Sequence, residues 1–139
     1  YVTGRICAAV ARLETEGADA QPLELGTLTV VRDWGHASDH MRALVAMADA
    51  ETPGDYVVGT GTGRTVADFC ATAFGAASLD WRRHVVSNPA FARAGDVPAL
   101  VADPSRAAAV LGWRPRIGFE ALVAEMLAAA RARHRAVAS

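Results

Sequence analysis

Two arginines carry the chemistry this sequence offers most clearly. Arg32 follows the apolar run 28–31 and stands where that run gives way to Asp33-Trp34-Gly35-His36. An arginine at a strand end can reach past the sheet edge and hold a phosphate, because its guanidinium offers a fixed fork of donors. Arg93 lies in Asn88-Pro89-Ala90-Phe91-Ala92-Arg93-Ala94-Gly95-Asp96, an irregular stretch. Two such groups from separate loops could clamp a diphosphate. Taken singly, either arginine is more ordinary as a surface residue.

The other candidates are weaker. Gly59-Thr60-Gly61-Thr62-Gly63-Arg64 sits between a predicted strand and a predicted helix, where backbone N–H groups can cradle phosphate. Arg64 takes the place of the third glycine in a dinucleotide loop, and no lysine makes it a P-loop, so it reads as a flexible strand-to-helix turn. His36 and His40 stand four apart with Asp39 between, but no third metal ligand accompanies them. Cys7 and Cys70 fall on apolar helix faces and read as core thiols. The Arg131-Ala132-Arg133-His134-Arg135 run reads as a solvated helix end that complements the helix dipole.

The elements that position these residues follow from periodicity and punctuation. Val2, Ile6, Ala9, Val10 and Leu13 repeat at helical spacing and predict a helix over about 3–14, ended by Gly17. Leu23, Leu25 and the run 28–31 suggest two short strands around a Gly26-Thr27 turn. Asp39 is the expected N-cap of a helix over about 40–50, with Met41, Leu44, Val45 and Ala48 facing inward. Tyr56 to Thr60 reads as a short buried strand, and Thr65 caps a helix over about 66–75 with Val66, Phe69, Cys70 and Ala73 inside. His84 to Val86 suggests another strand. Asp103-Pro104 starts a helix that ends near Leu111-Gly112, and Pro115 blocks its continuation. A last helix runs over about 119–133 with Leu122, Val123, Met126 and Leu127 inward.

The 139 residues suffice for one modest domain of mixed helix and strand. Apolar content of 52% and charged content of 21% give a core rather than a disordered chain. A net charge of −1 argues against a nucleic-acid surface. No apolar run reaches the roughly 20 residues that span a membrane, and no signal-peptide pattern opens the chain. Unpaired cysteines then imply reduced thiols and a cytoplasmic protein. All 14 Lys-plus-Arg positions are arginine, so lysine chemistry is excluded. The start at Tyr1 and the single clean β-turn-α unit suggest a fragment of a longer protein.

The residues also carry a resemblance. Arg32-Asp33-Trp34-Gly35-His36-Ala37, with Asp39 after it, resembles the RDWGHAxD block of GDP-mannose 4,6-dehydratases, members of the extended short-chain dehydrogenase/reductase (SDR) family. Tyr1-Val2-Thr3-Gly4-Arg5-Ile6 is similar to their FVTRKI, and Leu25-Gly26-Thr27-Leu28 to their LGN-L. Asp55 to Gly61 resembles DYVIATG, and Thr65 to Phe69 resembles SVREF. Arg93 to Asp96 is similar to RPAE, Asp103 to Ala107 to DPSKA, and Leu111 to Pro115 to LGWKP. The first block is specific to the dehydratases; the last two occur across extended SDR enzymes.

The resemblance implies the C-terminal part of an extended Rossmann-type SDR fold: an α/β substrate lobe plus a late strand-helix unit of the cofactor sheet. Arg32 and Arg93 would hold the diphosphate of GDP-mannose. Val2, Arg5, Leu25 and Gly26 would line the nucleotide end, with Asp96 standing where the family has glutamate. NADP would be bound mainly by an absent N-terminal portion. The parent, a homodimer or homotetramer, would oxidise mannose C4, eliminate water across C5–C6 and return hydride to C6. That product feeds GDP-fucose or GDP-rhamnose synthesis.

Departures are Gly4 for arginine, Arg5 for lysine, Thr27 for asparagine, Val31 for lysine and Pro98 for aspartate. The glycine-rich dinucleotide loop, the Thr-Glu pair and Tyr-x-x-x-Lys are missing. Tyr56 has Thr60 four residues on, so it supplies no such pair. The chain alone is therefore expected to be inactive. Two other readings remain open: a non-catalytic nucleotide-sugar binding module, and part of a related epimerase, reductase or dTDP-sugar dehydratase. The Trp34-Gly35 pair weighs against the latter. An in-frame Tyr-x-x-x-Lys upstream would favour the enzyme over the module.

Overall fold

The computed structural model of the chain describes residues 1–17, 20–51, 53–92 and 95–138. In chain order its main elements are α1 (Val2–Glu16), β1 (Leu23–Leu25), β2 (Val31–Arg32), α2 (Ala37–Ala48) and β3 (Arg64–Thr65). There follow α3 (Val66–Gly75), β4 (Val85–Ser87), β5 (Ala99–Leu100), α4 (Ser105–Leu111) and α5 (Phe119–Ala138). They form two compact units, one of Tyr1–Val30, Thr65–Pro98 and Val123–Ser139, the other of Val31–Arg64 and Ala99–Leu122. Each unit is assembled from separated stretches, which is why no linker shows in the sequence.

In the first unit the helical repeat behaves as read. Ile6, Val10 and Leu13 are buried along α1, and Gly17 ends the helix at φ 76 with its amide on the Leu13 carbonyl. Thr65 and Asp68 form a capping box for α3, each side chain accepting the other's amide at 3.0 and 2.8 Å. Val66, Phe69, Cys70 and Ala73 are buried, as their spacing predicts. The strands differ from expectation. β1 pairs in parallel with β4, Leu23 opposite Val85. In the following run, the Leu28 and Val30 carbonyls accept the amides of Ala67 and Val66, so it makes no hairpin with β1.

The arginine run near the C-terminus is not simply solvated. Arg131 meets Glu14 of α1 through Nε at 2.8 Å and Nη2 at 2.6 Å, and His134 Nε2 lies 2.8 Å from Thr15 Oγ1. Leu127 and Ala130 are buried, and residue 131 follows one turn after Leu127, so it shares that inward side. Its hydrogen bond holds the Glu14 carboxyl below the usual range, against some desolvation.

In the second unit β2 pairs in parallel with β5, Val31 opposite Ala99 and Arg32 opposite Leu100, within a sheet of order β3-β2-β5. The N-cap of α2 is His36, not Asp39: the His36 Nδ1 accepts the Ser38 amide at 3.1 Å. Asp39 occupies the first turn and is only 2% exposed. Its Oδ2 accepts the amides of Arg116 and Ile117 at 2.8 and 2.9 Å, and its Oδ1 accepts Arg42 Nη2. The Trp113 indole N–H donates to the Asp39 carbonyl at 2.9 Å. The buried side of α2 therefore passes through Asp39 and Ala43, and Ala43 packs with Ala107 and Trp113. That rotation leaves Met41, Leu44, Val45 and Ala48 exposed, the reverse of the expected inward face.

Two further expectations shift. Tyr56 to Thr60 joins no strand ladder; Tyr56 and Val58 pack beside that small core, and the Thr60 amide donates to Asp33 instead. The helix expected at Pro104 begins at Ser105, whose amide still donates to the Asp103 carboxylate at 3.0 Å. Gly112 ends it in the left-handed region at φ 62.

Burial alone would raise the Asp39 pKa. The Ile117 amide, the Arg42 guanidinium and the Arg116 amide outweigh it and hold the carboxyl below its ordinary value. Asp39→Ala removes the acceptor of two backbone amides and leaves Arg42 without its carboxylate partner. We expect a loss of about 3 kcal/mol by urea denaturation at neutral pH. The sign with pH follows from the lowered pKa. Asp39 contributes fully above about pH 4, where the unfolded carboxyl is ionised, and its contribution fades as pH falls through the lower folded value. The gap between wild type and Asp39→Ala should therefore narrow in acid; a gap constant down to pH 2 would contradict the assignment.

Candidate functional site

The predicted contact residues fall into two groups, one in each unit. In the first unit, Val2 opens α1 and Arg5 lies one turn on, its amide bonded to the Tyr1 carbonyl at 3.2 Å. Arg5 is exposed, donates from Nη2 to the Glu24 carbonyl at 2.8 Å and places its guanidinium 5.4 Å from the Phe91 ring centroid. Leu25 is buried, and its carbonyl accepts the Asn88 amide at 2.7 Å. Gly26 follows, its carbonyl accepting the Ser87 hydroxyl at 3.0 Å. Asn88 Nδ2 donates to Glu24 Oε2 at 3.1 Å.

The structure thus gathers Arg5, Leu25 and Gly26 around the segment 88–91. Phe91, Glu24 and Asn88 were not singled out in the sequence. Phe91 is 49% exposed, which presents an aromatic face beside a guanidinium. Its signal was an aromatic residue inside an otherwise irregular stretch. Asp96 is exposed after that segment. Arg93 lies outside the described residues.

In the second unit Arg32 is half-buried at the last ladder position of β2, with Nη1 donating to the Val31 carbonyl at 2.7 Å. It lines a cavity of about 480 Å³ together with Asp33, His40, Gly59, Leu100 and Ala102. Asp33 accepts the Thr60 amide at 3.0 Å, the Gly61 amide at 2.9 Å and the Ala102 amide at 3.3 Å, and also the Thr60 hydroxyl. The glycine-rich stretch bends, but no strand directly precedes it and it leads into β3, and two of its amides bind this internal carboxylate. A Cβ on Gly59 would lie 2.3 Å from Ala102 Cβ, so the turn closes only on glycine.

Arg64 does not act as a loop residue facing a phosphate. Its guanidinium lies 5.3 Å from the Phe119 ring centroid, and Phe119 stacks on Trp34 at 6.1 Å. These three help to line a second cavity of about 340 Å³. His36 and His40 are committed locally: the His36 Nδ1 lies 2.7 Å from the Ser38 hydroxyl, and His40 Nδ1 is 3.0 Å from the His36 carbonyl. Among the described residues no group of three His, Cys, Asp or Glu side chains could hold a metal. Cys7 and Cys70 are buried; desolvation pushes their thiols up to about 11, against the charge of Arg133, and about 12. They are core thiols, as their apolar helix faces suggest. No described helix is long and apolar enough to cross a membrane.

The family model described as GDP-mannose 4,6 dehydratase matches residues 1–126. GDP-mannose 4,6 dehydratase 2 of Arabidopsis thaliana is 40% identical over 127 residues, covering 91% of this chain and 34% of that protein. The Homo sapiens GDP-mannose 4,6 dehydratase is 30% identical over 144 residues, covering 91% of this chain and 38% of that protein. The chain thus spans about a third of the length of these relatives. Among solved structures, RMD from Pseudomonas aeruginosa complexed with NADPH aligns at TM-score 0.83 and 20% identity, covering 96% of this chain and 43% of that one. UDP-glucose 4-epimerase from Bifidobacterium longum, in complex with NAD+ and UDP, aligns at 0.75 and 25%, covering 98% and 40%. The fold is that of the extended SDR enzymes, α/β with parallel strand pairs.

The close approach at Gly26 gives a direct test of the first-unit geometry. A Cβ there would lie 2.4 Å from the Phe91 carbonyl oxygen and 3.1 Å from the Ala92 amide, both backbone atoms that cannot swing aside. Gly26→Ala should cost roughly 1–3 kcal/mol through this overpacking. Gly4→Ala, with nothing within 4 Å of its Cβ, should instead stabilise α1 by about 0.5–1 kcal/mol. Thermal melts of the two variants that moved together would contradict the geometry.

Proposed function

The chain belongs to the GDP-mannose 4,6 dehydratase family, and from that premise we propose that it is the C-terminal, substrate-binding part of a hydro-lyase. The parent converts GDP-mannose to GDP-4-dehydro-6-deoxy-mannose with NADP. The observation that carries this reading is the position of Arg32. The family-like block folds as a strand end, and its arginine lines an open cavity large enough for phosphate groups. In the proposal Arg32 and Arg93 hold the diphosphate through bidentate, charge-assisted contacts. Val2, Arg5, Leu25 and Gly26 line the nucleotide end, and Asp96 takes the place of the family's glutamate.

The glycine-rich stretch of this chain does not fit a dinucleotide phosphate. The Thr60 and Gly61 amides, which a phosphate would need, already bind Asp33. Arg64, at the third glycine position, is packed on Phe119. In the proposal NADP is bound mainly by the N-terminal portion of the parent, which also supplies the catalytic groups. The isolated chain, incubated with GDP-mannose and NADP, should give no turnover above a no-protein control.

Binding in the full-length protein tests the assignment. Arg32→Ala and Arg93→Ala should each weaken GDP-mannose binding by about tenfold to a hundredfold, the worth of one charge-assisted contact. Arg93→Lys should recover only part of the affinity, because an ammonium keeps the charge without the fork. The control is Arg82→Ala: its side chain is 73% exposed beside Trp81, and the change should leave binding intact. Calorimetric titration beside a thermal melt separates binding from folding. Wild-type affinity in a folded Arg32→Ala protein would overturn the role given to Arg32.

A further inference from the structure

We propose that Asp33 is a positioning residue for Arg32: its carboxylate fills the anion cradle of the Gly59–Gly61 turn and so fixes the backbone from which Arg32 reaches the diphosphate. The proposal rests on the binding role given to Arg32 above.

The β2–β5 ladder ends at the pair Arg32 and Leu100. Just beyond it, the hold on the chain passes to the Asp33 side chain. Asp33 Oδ2 accepts the Ala102 amide at 3.3 Å, two residues past Leu100, and so extends the β2–β5 connection through a carboxylate. The same oxygen accepts the Gly61 amide at 2.9 Å, and Oδ1 accepts both the amide of Thr60, at 3.0 Å, and its hydroxyl.

Successive N–H groups of a turn, here with Gly61 at φ 72, make a concavity suited to an anion. In many proteins that anion is a bound phosphate; here it is a side chain of the same chain. The approach is close enough to demand glycine. A Cβ on Gly59 would stand 2.9 Å from Asp33 Oδ2 as well as against Ala102. Two segments of the second unit, 59–61 and 100–102, thus converge on the residue next to Arg32, and both contribute to the wall of the cavity that Arg32 lines. Arg32 is held by a backbone ladder on one side and by this carboxylate on the other.

Asparagine at position 33 keeps the shape but offers one acceptor oxygen, and its NH2 group would face the amide donors. If Asp33 acts through Arg32, its loss should matter for ligand only while Arg32 is present. The test is a double-mutant cycle in the full-length protein with wild type, Asp33→Asn, Arg32→Ala and the double variant. Each is titrated with GDP-mannose by calorimetry and melted. Asp33→Asn should weaken binding by about tenfold in the Arg32 background, and by no more than about twofold once Arg32 is alanine. Its loss of melting temperature should be the same in both.

Equal weakening in both backgrounds, or none in the first, would overturn the positioning role. Wild-type binding by Arg32→Ala alone would instead mark failure of the underlying binding assignment. Should Asp33→Asn not fold, Thr60→Val removes the hydroxyl that donates to Asp33 and accepts the Thr62 amide at 3.1 Å, and leaves the backbone donors to the carboxylate in place. It should weaken binding by a smaller factor that again vanishes on Arg32→Ala; a factor that persists there would overturn the proposal.

Discussion

The second unit depends on one buried carboxylate. Asp39 is 2% exposed, and an ion taken so far from water is tolerated only when its oxygens are fully engaged. Here the carboxylate's partners are the Arg116 and Ile117 amides and Arg42, one turn along α2, while the Trp113 indole holds the Asp39 backbone carbonyl. Apolar burial in this unit is modest, centred on Ala43, Ala107 and Trp113. Directional bonds to Asp39 therefore set where α2 lies against the segment before α5, and which of its faces turns inward. The same device appears at Asp33 on a more exposed scale. Two short acidic side chains each tie stretches of chain far apart in sequence.

The first unit is built differently. Its buried residues come from long helical faces, with Ile6 and Val10 of α1, Phe69 and Phe74 of α3, and Leu127 of α5 among the most buried. Polar links such as Arg131 with Glu14 sit at the margin of that core and are about one-third exposed. Contacts of that kind add little individually. The order of the first unit thus follows apolar periodicity, whereas that of the second follows hydrogen bonds to carboxylates.

This contrast explains what was legible in the sequence. α1, α3 and α5 were readable because the 3.6-residue repeat runs for several turns and glycine or a capping box marks an end. The strands are two or three residues long, too short to show a period, and their partners come from distant segments. α2 misled in two ways. Asp39 is a favoured capping type, yet at the third helical position it points inward and His36 caps instead. Its apolar residues Met41, Leu44 and Val45 form a convincing stripe that is exposed in the structure. At the site, Arg32 could be picked out from its place after an apolar run. The bonds from Thr60 to Asp33, 27 residues away, left no local trace. Phe91 stood out only as an aromatic in an irregular stretch, and its place beside Arg5 and Gly26 is a product of the fold.

Together these features describe a segment with a half-buried arginine beside one cavity and a glycine-dependent close approach around the segment 88–91. The most direct measurement is photoaffinity labelling of the full-length protein with an azido-guanine analogue of GDP-mannose, followed by peptide mapping. Label should appear, and be displaced by GDP-mannose, on peptides from these 139 residues, above all those containing Val2 to Arg5 or Leu25 to Gly26. Displaceable label confined to peptides outside this segment would contradict the proposal that it forms the nucleotide-sugar site.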